Sequence, residues 1–354
     1  MSNSVATTSS IPDNLHEIVQ TKYNKALSDG NLVFTKSESK LLKNTDGNTK
    51  NQYWVTYAPS LKEKPERKDI TDNEKSNPFA KPEPELTVID DLEGDYKLLL
   101  NKFPIIPNHL LLVTKSFESQ TAPLSPKDLL TSYNLLKKLD NDDESDKRHV
   151  AFYNCGVNSG SSQDHKHLQI IELPGKLKTL QDKLVKKDPG HFIPNHKKEP
   201  LKDNSIPYAH FVVPLPDPDG NDVDEDLLAM VYSSLLQRTL TFFQQWSCTS
   251  EEDKRLPISY NFMMTLEWIC LVPRSKSNNG TIGFNSTGYL NMVLVKEREL
   301  YDKILSYFED GTTNTDAVED VKTEVEGEVI KIDDILLDCG FPNRGDAKPS
   351  EYDY

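Results

Sequence analysis

Cysteine is scarce in this sequence, and the few cysteines present form no motif. Cys155, Cys248, Cys270 and Cys339 are separated by long intervals, and no C-x-x-C pair occurs. Zinc knuckles and disulfide frameworks both need closely patterned cysteines. We therefore expect neither a structural zinc site nor a disulfide scaffold.

Long apolar runs and net positive charge are also lacking. No apolar run approaches the length of about 18 residues that spans a membrane, and the segment MSNSVATTSSIPDN has no apolar stretch typical of a secretory signal. We expect a reduced, soluble, intracellular protein in the cytoplasm, with the nucleus as a second compartment. The formal net charge of −15 disfavours nucleic acid or an anionic membrane surface as main partner.

The composition is that of a globular protein with long polar segments. Hydrophobic residues make up 36% of the chain, and the mean hydropathy is −0.61. A Pro-, Lys- and Glu-rich loop runs from Pro59 to Glu85, and an acidic insert, which we expect to be disordered, runs from Glu309 to Glu328. At 354 residues the chain is long enough for one large or two smaller domains.

Sequence periodicity predicts an α+β fold, mostly antiparallel sheet with flanking helices. Helices are predicted over Leu15–Leu27 with Gly30 at the C′ position, over 126–140 with Ser125 as N-cap and Asp128 at N3, from Val223 to about Trp246, and over 332–341. Strands are predicted over 31–36, 52–58, 149–154, 165–173, 260–265, 267–273 and 289–296, with a hairpin formed by 96–103 and 109–115, and a second apolar block begins near 206–216.

The segment NSGSSQDHKHLQII, residues 158–171, carries the most distinctive chemistry. Alternate residues of a strand project from one face, so His165, His167 and Gln169 share a face while Lys166 projects from the other. The Gly- and Ser-rich residues before the strand can form a nest of N–H groups that holds an anion. A neutral imidazole beside it could attack a phosphoryl group and form a phosphoramidate.

Two other interpretations of the paired histidines stay open from these residues alone. They could be structural, or they could bind a metal, which needs three or four ligands. Asp164 projects from the face opposite His165, and no further cluster of His, Cys and Asp lies close in sequence. The metal interpretation is weaker for that reason, but the H-x-H pattern does not decide between the three.

The motif resembles the H-x-H-x-Q signature of the histidine-triad superfamily, in its galactose-1-phosphate uridylyltransferase branch. The blocks PSLKEKPE, YKLLLNKFPIIPNHLLLVT, EWICLVPRSK and IGFNSTGYLNMVLVK are in addition similar to fungal diadenosine tetraphosphate phosphorylases, also called ATP adenylyltransferases. The resemblance covers nearly the whole chain except the N-terminal tail and the acidic insert. Lys166 stands where sugar-nucleotide uridylyltransferases carry proline, which disfavours a sugar substrate.

This resemblance implies phosphorolysis of diadenosine tetraphosphate (Ap4A) to ATP and ADP through a covalent AMP–histidine. His167 would be the nucleophile, the backbone carbonyl of His165 would hold its second nitrogen, and Gln169 would replace the third histidine of hydrolytic relatives. Glutamine can donate to a phosphate oxygen but cannot act as a general base for water. The intermediate is therefore expected to survive until phosphate arrives.

The resemblance also assigns substrate-binding positions and partners. The residues expected to contact the dinucleotide are Lys64, Asn101, Lys102, Asn154, Gly160, Ser161, Ser162, Gln163, Gln169, Asn285, Ser286, Thr287, Met292 and Lys296. Of these, Met292 is more easily explained by packing. Expected partners are Ap4A, ATP, ADP and phosphate, with a divalent cation, Mg²⁺ by preference, bound through the polyphosphate and no organic cofactor.

The domain organisation implied by the resemblance is a tail over 1–12, a histidine-triad-like catalytic domain over 13–200, an ATP adenylyltransferase domain over 201–345 and a tail over 346–354. Because both halves would contribute to one site, we expect a monomer. Two alternatives remain: a nucleoside-diphosphate-sugar uridylyltransferase, and a non-catalytic sensor of dinucleotide polyphosphates.

Overall fold

The computed structural model describes residues 10–43, 51–63, 77–140, 147–220, 222–249, 257–310 and 331–343. Its helices are α1 (Leu15–Ser28), α2 (Pro126–Asp140), α3 (Leu180–Lys187), α4 (Glu225–Thr249), α5 (Ser286–Tyr289), α6 (Arg298–Asp310) and α7 (Ile332–Cys339). Its strands are β1 (Glu38–Lys43), β2 (Gln52–Tyr57), β3 (Thr87–Leu92), β4 (Tyr96–Leu100), β5 (Leu110–Thr114), β6 (His149–Cys155), β7 (His167–Glu172), β8 (Phe211–Pro214), β9 (Tyr260–Met264), β10 (Trp268–Pro273) and β11 (Met292–Val295). None of the described helices combines the length and apolarity needed to cross a bilayer.

Eight strands form one sheet in the order β3-β4-β5-β7-β6-β9-β10-β8. Every neighbouring pair in it is antiparallel. The pairing of β6 with β9, with Ala151 opposite Met264, makes the sheet continuous across the two halves of the chain. The predicted α+β class with a mostly antiparallel sheet is confirmed, whereas the predicted domain boundary at 200/201 stays a prediction.

Alternate side chains of this sheet enter two different cores, because successive residues of a strand face opposite sides. Ala151 and Tyr153 pack with the helices α1, α2 and α4. Val150 and Phe152 pack on the other side, with α3, α6, α7 and a smaller sheet. Burial on both faces explains why these strands read as nearly continuous apolar runs.

The smaller sheet has the order β1-β2-β11. β1 is antiparallel to β2, and β11, from the far end of the chain, pairs parallel to β2 with Val293 opposite Val55. A parallel pair needs a long connection, which the intervening chain supplies. This sheet therefore joins the start and the end of the chain over one face of the large sheet.

Several predicted elements are confirmed at nearly their predicted bounds. α1 is followed by Gly30 with a φ of 77°, as expected of a C′ residue. At the start of α2, the Asp128 N–H donates to Ser125 Oγ at 3.1 Å, and the Ser125 N–H donates to the Asp128 carboxylate at 2.7 Å. These reciprocal bonds complete the predicted capping box. The hairpin is formed by β4 and β5.

The predicted strand over 31–36 is wrong, and β1 begins only at Glu38. The N–H groups of Val33 and Thr35 donate to the carbonyls of Lys102 and Pro104. Those carbonyls belong to the irregular connection after β4, so the bonds do not extend into a ladder. The strand predicted over 289–296 is shorter than expected, because Tyr289 ends α5 and Asn291 has a φ of 63°.

β1, β3, β8, α3, α5 and α6 were not predicted. α3 carried a readable signal, because Thr179 and Asp182 form a capping box. α6 extends through Asp310, so the start of the acidic insert at Glu309 is helical and that part of the disorder prediction is wrong. Residues 311–328 of the insert, 1–9 of the first tail and the whole tail over 346–354 lie outside the described residues.

Candidate active site

His167 begins β7 with one ring nitrogen occupied and the other free. Its Nδ1 lies 2.8 Å from the His165 carbonyl oxygen. A carbonyl can only accept, so Nδ1 carries the proton and Nε2 carries the lone pair. Among the described residues nothing bonds to that Nε2. The side chain is 3% exposed, and burial lowers the pKa of His167 to about 4, which keeps the ring neutral near pH 7.

His165, two residues earlier, has both ring nitrogens occupied. Its Nε2 lies 2.8 Å from the Thr114 carbonyl oxygen and therefore carries the proton. Its Nδ1 lies 2.9 Å from the Asn77 amide nitrogen, which donates to it. The two histidines of the motif are therefore chemically unequal, and only the ring of His167 has a free lone pair. The backbone carbonyl that the resemblance assigned to His165 does hold His167.

Gln169 is held by a histidine that the sequence analysis missed. The Nε2 of His109 lies 3.0 Å from Gln169 Oε1 and donates to it, while His109 Nδ1 lies 3.2 Å from the Asn101 amide nitrogen. Burial lowers the pKa of His109 to about 4, so this ring too is neutral. With its oxygen occupied in this way, Gln169 keeps its NH₂ group for another acceptor.

The contact follows from strand register. Leu111 of β5 lies opposite Gln169 of β7, and His109, two residues from Leu111, is the diagonal neighbour on the same face. In the sequence His109 looks like an isolated polar residue at the start of an apolar strand. Only the pairing of β5 with β7 identifies its partner.

Two buried contacts fix the strand that carries His167. Gln120 accepts from the His167 N–H at 2.9 Å and donates to the Asn154 carbonyl, which ties β7 to β6. On the opposite face Lys166, 2% exposed, pairs with Asp128 of α2 at 2.5 Å. The prediction that Lys166 projects away from the histidines is confirmed, and its charge anchors β7 to α2.

The Gly/Ser loop, residues 156–163, lies against the segment that precedes α5. Gly160 has a φ of 82°, and a Cβ there would lie 2.3 Å from the Phe284 carbonyl oxygen. Asn154 Oδ1 accepts from the Ser286 N–H at 3.0 Å and from Ser286 Oγ at 2.7 Å. Asn154 and Ser286 are both buried, so their side chains fasten the end of β6 to α5; their predicted contact with the nucleotide stays a prediction.

Seven of the fourteen predicted substrate residues line two cavities that meet at Asn285, Thr287 and Met292. The larger, of about 860 Å³, lies between the two sheets; among its other lining residues are Trp54, Asn101, Ile106, His109, Phe152 and Gln169. The smaller, of about 420 Å³, is also lined by Gly160 and Ser161. A mostly apolar cavity joined to a more polar one is suited to a ligand that has both a nucleobase and a charged chain.

Four further predicted residues, Lys102, Ser162, Gln163 and Lys296, line neither of these two cavities. Lys102 pairs with Glu83 at 2.5 Å near the surface, and Ser162 and Lys296 are exposed. Gln163 lies in the loop, where its carbonyl accepts from Ser161 Oγ at 3.0 Å. Lys64 lies outside the described residues. For all five the predicted contact with substrate stays a prediction.

No metal centre is formed by the part of the chain that the structure describes. It contains no group of three or more His, Cys, Asp and Glu side chains arranged to hold an ion. Cys155, Cys270 and Cys339 are buried and free. A cation at this site would therefore need most of its ligands from a polyphosphate and from water, as Mg²⁺ commonly has.

Together the fold and the site define a class of protein in which an H-x-H-x-Q strand near the centre of an antiparallel sheet presents one neutral imidazole with an unbonded ring nitrogen. Comparison with known proteins then identifies the family. Residues 5–184 match the model of the Ap4A phosphorylase N-terminal domain, and residues 204–314 match that of the ATP adenylyltransferase C-terminal domain. The chain belongs to the Ap4A phosphorylase family.

Individual relatives agree with this assignment. The chain is 49% identical to Protein APA1 of Saccharomyces cerevisiae over 98% of its own length and 100% of that protein. It is 47% identical to diadenosine 5′,5‴-P1,P4-tetraphosphate phosphorylase 2 of the same yeast, over 97% and 100%. The crystal structure of yeast Ap4A phosphorylase Apa2 superposes with a TM-score of 0.79 at 45% identity, covering 97% of this chain and 100% of that one.

Proposed function

We propose that this protein catalyses the phosphorolysis of Ap4A to ATP and ADP, and the reverse ATP adenylyltransferase reaction. Nε2 of His167 attacks the phosphorus next to one adenosine, and the bond from that phosphorus to the bridging oxygen breaks. ATP leaves, and AMP stays on the histidine. An oxygen of inorganic phosphate then attacks the same phosphorus, the P–N bond breaks, and ADP leaves with Nε2 restored.

The single observation that supports this route best is the unequal state of the two histidines. Of the two, His167 alone has an unbonded ring nitrogen among the described residues, and its Nδ1–H already donates to the His165 carbonyl. As the ring becomes positive on forming the P–N bond, that hydrogen bond strengthens. The family assignment supports the substrate: a relative matched over its whole length is named as an Ap4A phosphorylase, and an Apa2 structure, 44% identical, is a complex with Ap4A.

Gln169 supports transfer rather than hydrolysis. Its oxygen accepts from His109, which leaves the amide NH₂ as a donor for a phosphate oxygen. A glutamine in this position cannot remove a proton from water. We infer that the intermediate is attacked by phosphate because no general base stands where hydrolytic relatives carry a histidine.

The first test is product analysis with and without inorganic phosphate. We expect equal amounts of ATP and ADP from Ap4A when phosphate is present. Without phosphate we expect one equivalent of ATP per protein and a labelled chain. Formation of AMP would indicate a hydrolase, absence of any product would favour the sensor, and activity only on a UDP-sugar would favour the uridylyltransferase.

The second test places the covalent bond. His167→Ala should abolish labelling with AMP and reduce phosphorolysis by at least ~10³-fold, as the loss of a nucleophile commonly does. His196→Ala is the matched control, because it makes the same change at an exposed histidine outside the site. Labelling that persists in His167→Ala, located by mass spectrometry on another residue, would overturn the assignment.

We also propose the conditions under which the enzyme acts. A divalent cation, Mg²⁺ by preference, accompanies the polyphosphate, and chelation should slow phosphorolysis without unfolding the protein. The active species is a monomer, since both cavities are lined by residues from both halves of one chain; light scattering at micromolar concentration checks this. A cytoplasmic location, with some protein in the nucleus, is checked by imaging a tagged chain.

A further inference from the structure

Arg274, directly after β10, is a fully buried guanidinium. Its exposed fraction is 0%, and its Cζ lies 5.0 Å from the centroid of the Tyr289 ring. An arginine has five N–H donors, and all are used. The acceptors are the carbonyl oxygens of Ser159, Lys276, Phe284 and Cys339 and the amide oxygen of Asn261.

All of these acceptors are neutral. Among the described residues no carboxylate lies within ion-pair distance of Arg274, whereas the other deeply buried cation, Lys166, pairs with Asp128 and Glu118. Burying a charge without a counter-ion is costly even when its hydrogen bonds are satisfied. Arg274 is thus an internal positive charge that no described residue neutralises.

Two of the five bonds set the direction of peptide planes that face the smaller cavity. Arg274 holds the Ser159 carbonyl in the Gly/Ser loop and the Phe284 carbonyl before α5. In a trans peptide the N–H of the next residue points away from that carbonyl. The N–H groups of Gly160 and Asn285 therefore point away from Arg274, and among the described residues neither donates to any atom.

Gly160 and Asn285 both line the smaller cavity. Asn261, which accepts from Arg274, donates in turn to Asn154 Oδ1 and to the Ser159 carbonyl, so the loop is held at several points. An anion in the cavity would accept hydrogen bonds from both of these N–H groups. It would lie on the side of the two peptide planes opposite the guanidinium.

We propose that Arg274 is a positioning residue for the polyphosphate: it aims the Gly160 and Asn285 N–H groups at the bound phosphates, and its charge is balanced by the substrate. This inference rests on the proposed function, which supplies a polyphosphate. Arg274 makes no contact with the substrate and acts through the two peptide planes and through its field.

The test measures binding, so it does not depend on turnover. Inorganic tripolyphosphate and adenosine serve as probes of the charged and uncharged parts of the substrate, with wild type compared with Arg274→Lys and Arg274→Gln. Both variants should bind tripolyphosphate at least about tenfold more weakly, the equivalent of about 1.4 kcal/mol. Adenosine binding should change by less than about twofold. A purely structural role would weaken both probes alike, and that result would overturn the proposal.

Arg148→Lys is the matched control. Arg148 is a partly buried arginine that pairs with Asp182 and Glu267 and lines neither cavity. We expect it to lower the thermal midpoint without changing the ratio of the two affinities. If Arg148→Lys changed that ratio as much as Arg274→Lys, the effect would come from general destabilisation and the proposal would fail.

A measurement on the wild type keeps the proposal testable even if the Arg274 variants do not fold. Hydrogen–deuterium exchange should show the amides of Gly160 and Asn285 exchanging freely in the unliganded protein and protected by tripolyphosphate, but not by adenosine. Absence of that protection would overturn the proposal. Failure of the proposed function would instead appear as wild type that forms no ATP and ADP from Ap4A.

Discussion

At the scale of single residues, the chemistry depends on which nitrogen of each ring is occupied. His167 and His165 are two residues apart in a repeating pattern, yet one keeps a lone pair and the other does not. The difference comes from Thr114 and Asn77, which lie far from the motif in sequence. Hydrogen-bond partners of this kind decide the tautomer and hence the nucleophile.

The role of His109 gives a prediction at this scale. His109→Phe keeps a buried ring but removes the donor to Gln169, so the glutamine amide is free to rotate. We expect kcat for phosphorolysis to fall about tenfold, the loss typical of one hydrogen bond in a buried site, with little change in KM. Steady-state kinetics with Ap4A and phosphate measure both constants.

A double-mutant cycle tests whether His109 acts through Gln169. In a Gln169→Ala background, His109→Phe should have almost no further effect on kcat. If the two losses were instead simply additive, His109 would influence the reaction by another route and the prediction would be wrong.

At the scale of elements, the close approach of the Gly/Ser loop to the segment before α5 shapes the smaller cavity. Gly160→Ala should lower both stability and phosphorolysis, because its φ is 82° and its Cβ would lie 2.3 Å from the Phe284 carbonyl oxygen. Urea unfolding and the rate of ATP formation are the measurements.

Gly30→Ala is the control for this substitution. Gly30 has a similar φ of 77°, but a Cβ there meets nothing within 4 Å. Both variants should lose about 1–2 kcal/mol from the left-handed backbone, and only Gly160→Ala should lose more than this and lose activity. Equal behaviour of the two variants would show that the contact with Phe284 is unimportant.

At the scale of the whole molecule, three buried histidines make folding sensitive to acid. Burial lowers the pKa of each of His109, His167 and His210 to about 4. Between the ordinary pKa of about 6.5 and this value, the unfolded chain binds protons that the folded chain excludes. The contribution of these neutral histidines to the free energy of unfolding is therefore fully present above about pH 6.5, and it is lost as the pH falls towards 4.

His210 offers a direct check, because it lies outside the site. Its Nδ1 donates to the Tyr208 carbonyl and its Nε2 accepts from the Asp203 N–H, both at 2.9 Å, so protonation would break the second bond. His210→Gln should reduce the slope of the free energy of unfolding in urea against pH between 4.5 and 7. The reduction should correspond to the uptake of up to about one proton fewer on unfolding. His196→Gln, at an exposed histidine, should leave the slope unchanged; an unchanged slope in His210→Gln would contradict the prediction.

How far the sequence predicts the molecule differs from segment to segment. α2 follows from Ser125, Pro126 and Asp128, because capping is local chemistry. The residues over 31–36 looked like a strand and form none, because their hydrogen-bond partners lie in the irregular connection after β4. β strands depend on partners that are distant in the chain, so local pattern misplaces them more readily than helices.

The amino-acid sequence by itself determined the α+β class, the H-x-H-x-Q strand and the face on which His165, His167 and Gln169 lie, because alternation and capping act between residues that are close in the chain. Only the tertiary structure decided which imidazole keeps a free nitrogen, that His109 holds Gln169, and that the charge of Arg274 is buried behind the Gly/Ser loop. These features are contacts between segments that lie 60 to 115 residues apart in the chain. They exist only once the strands have paired.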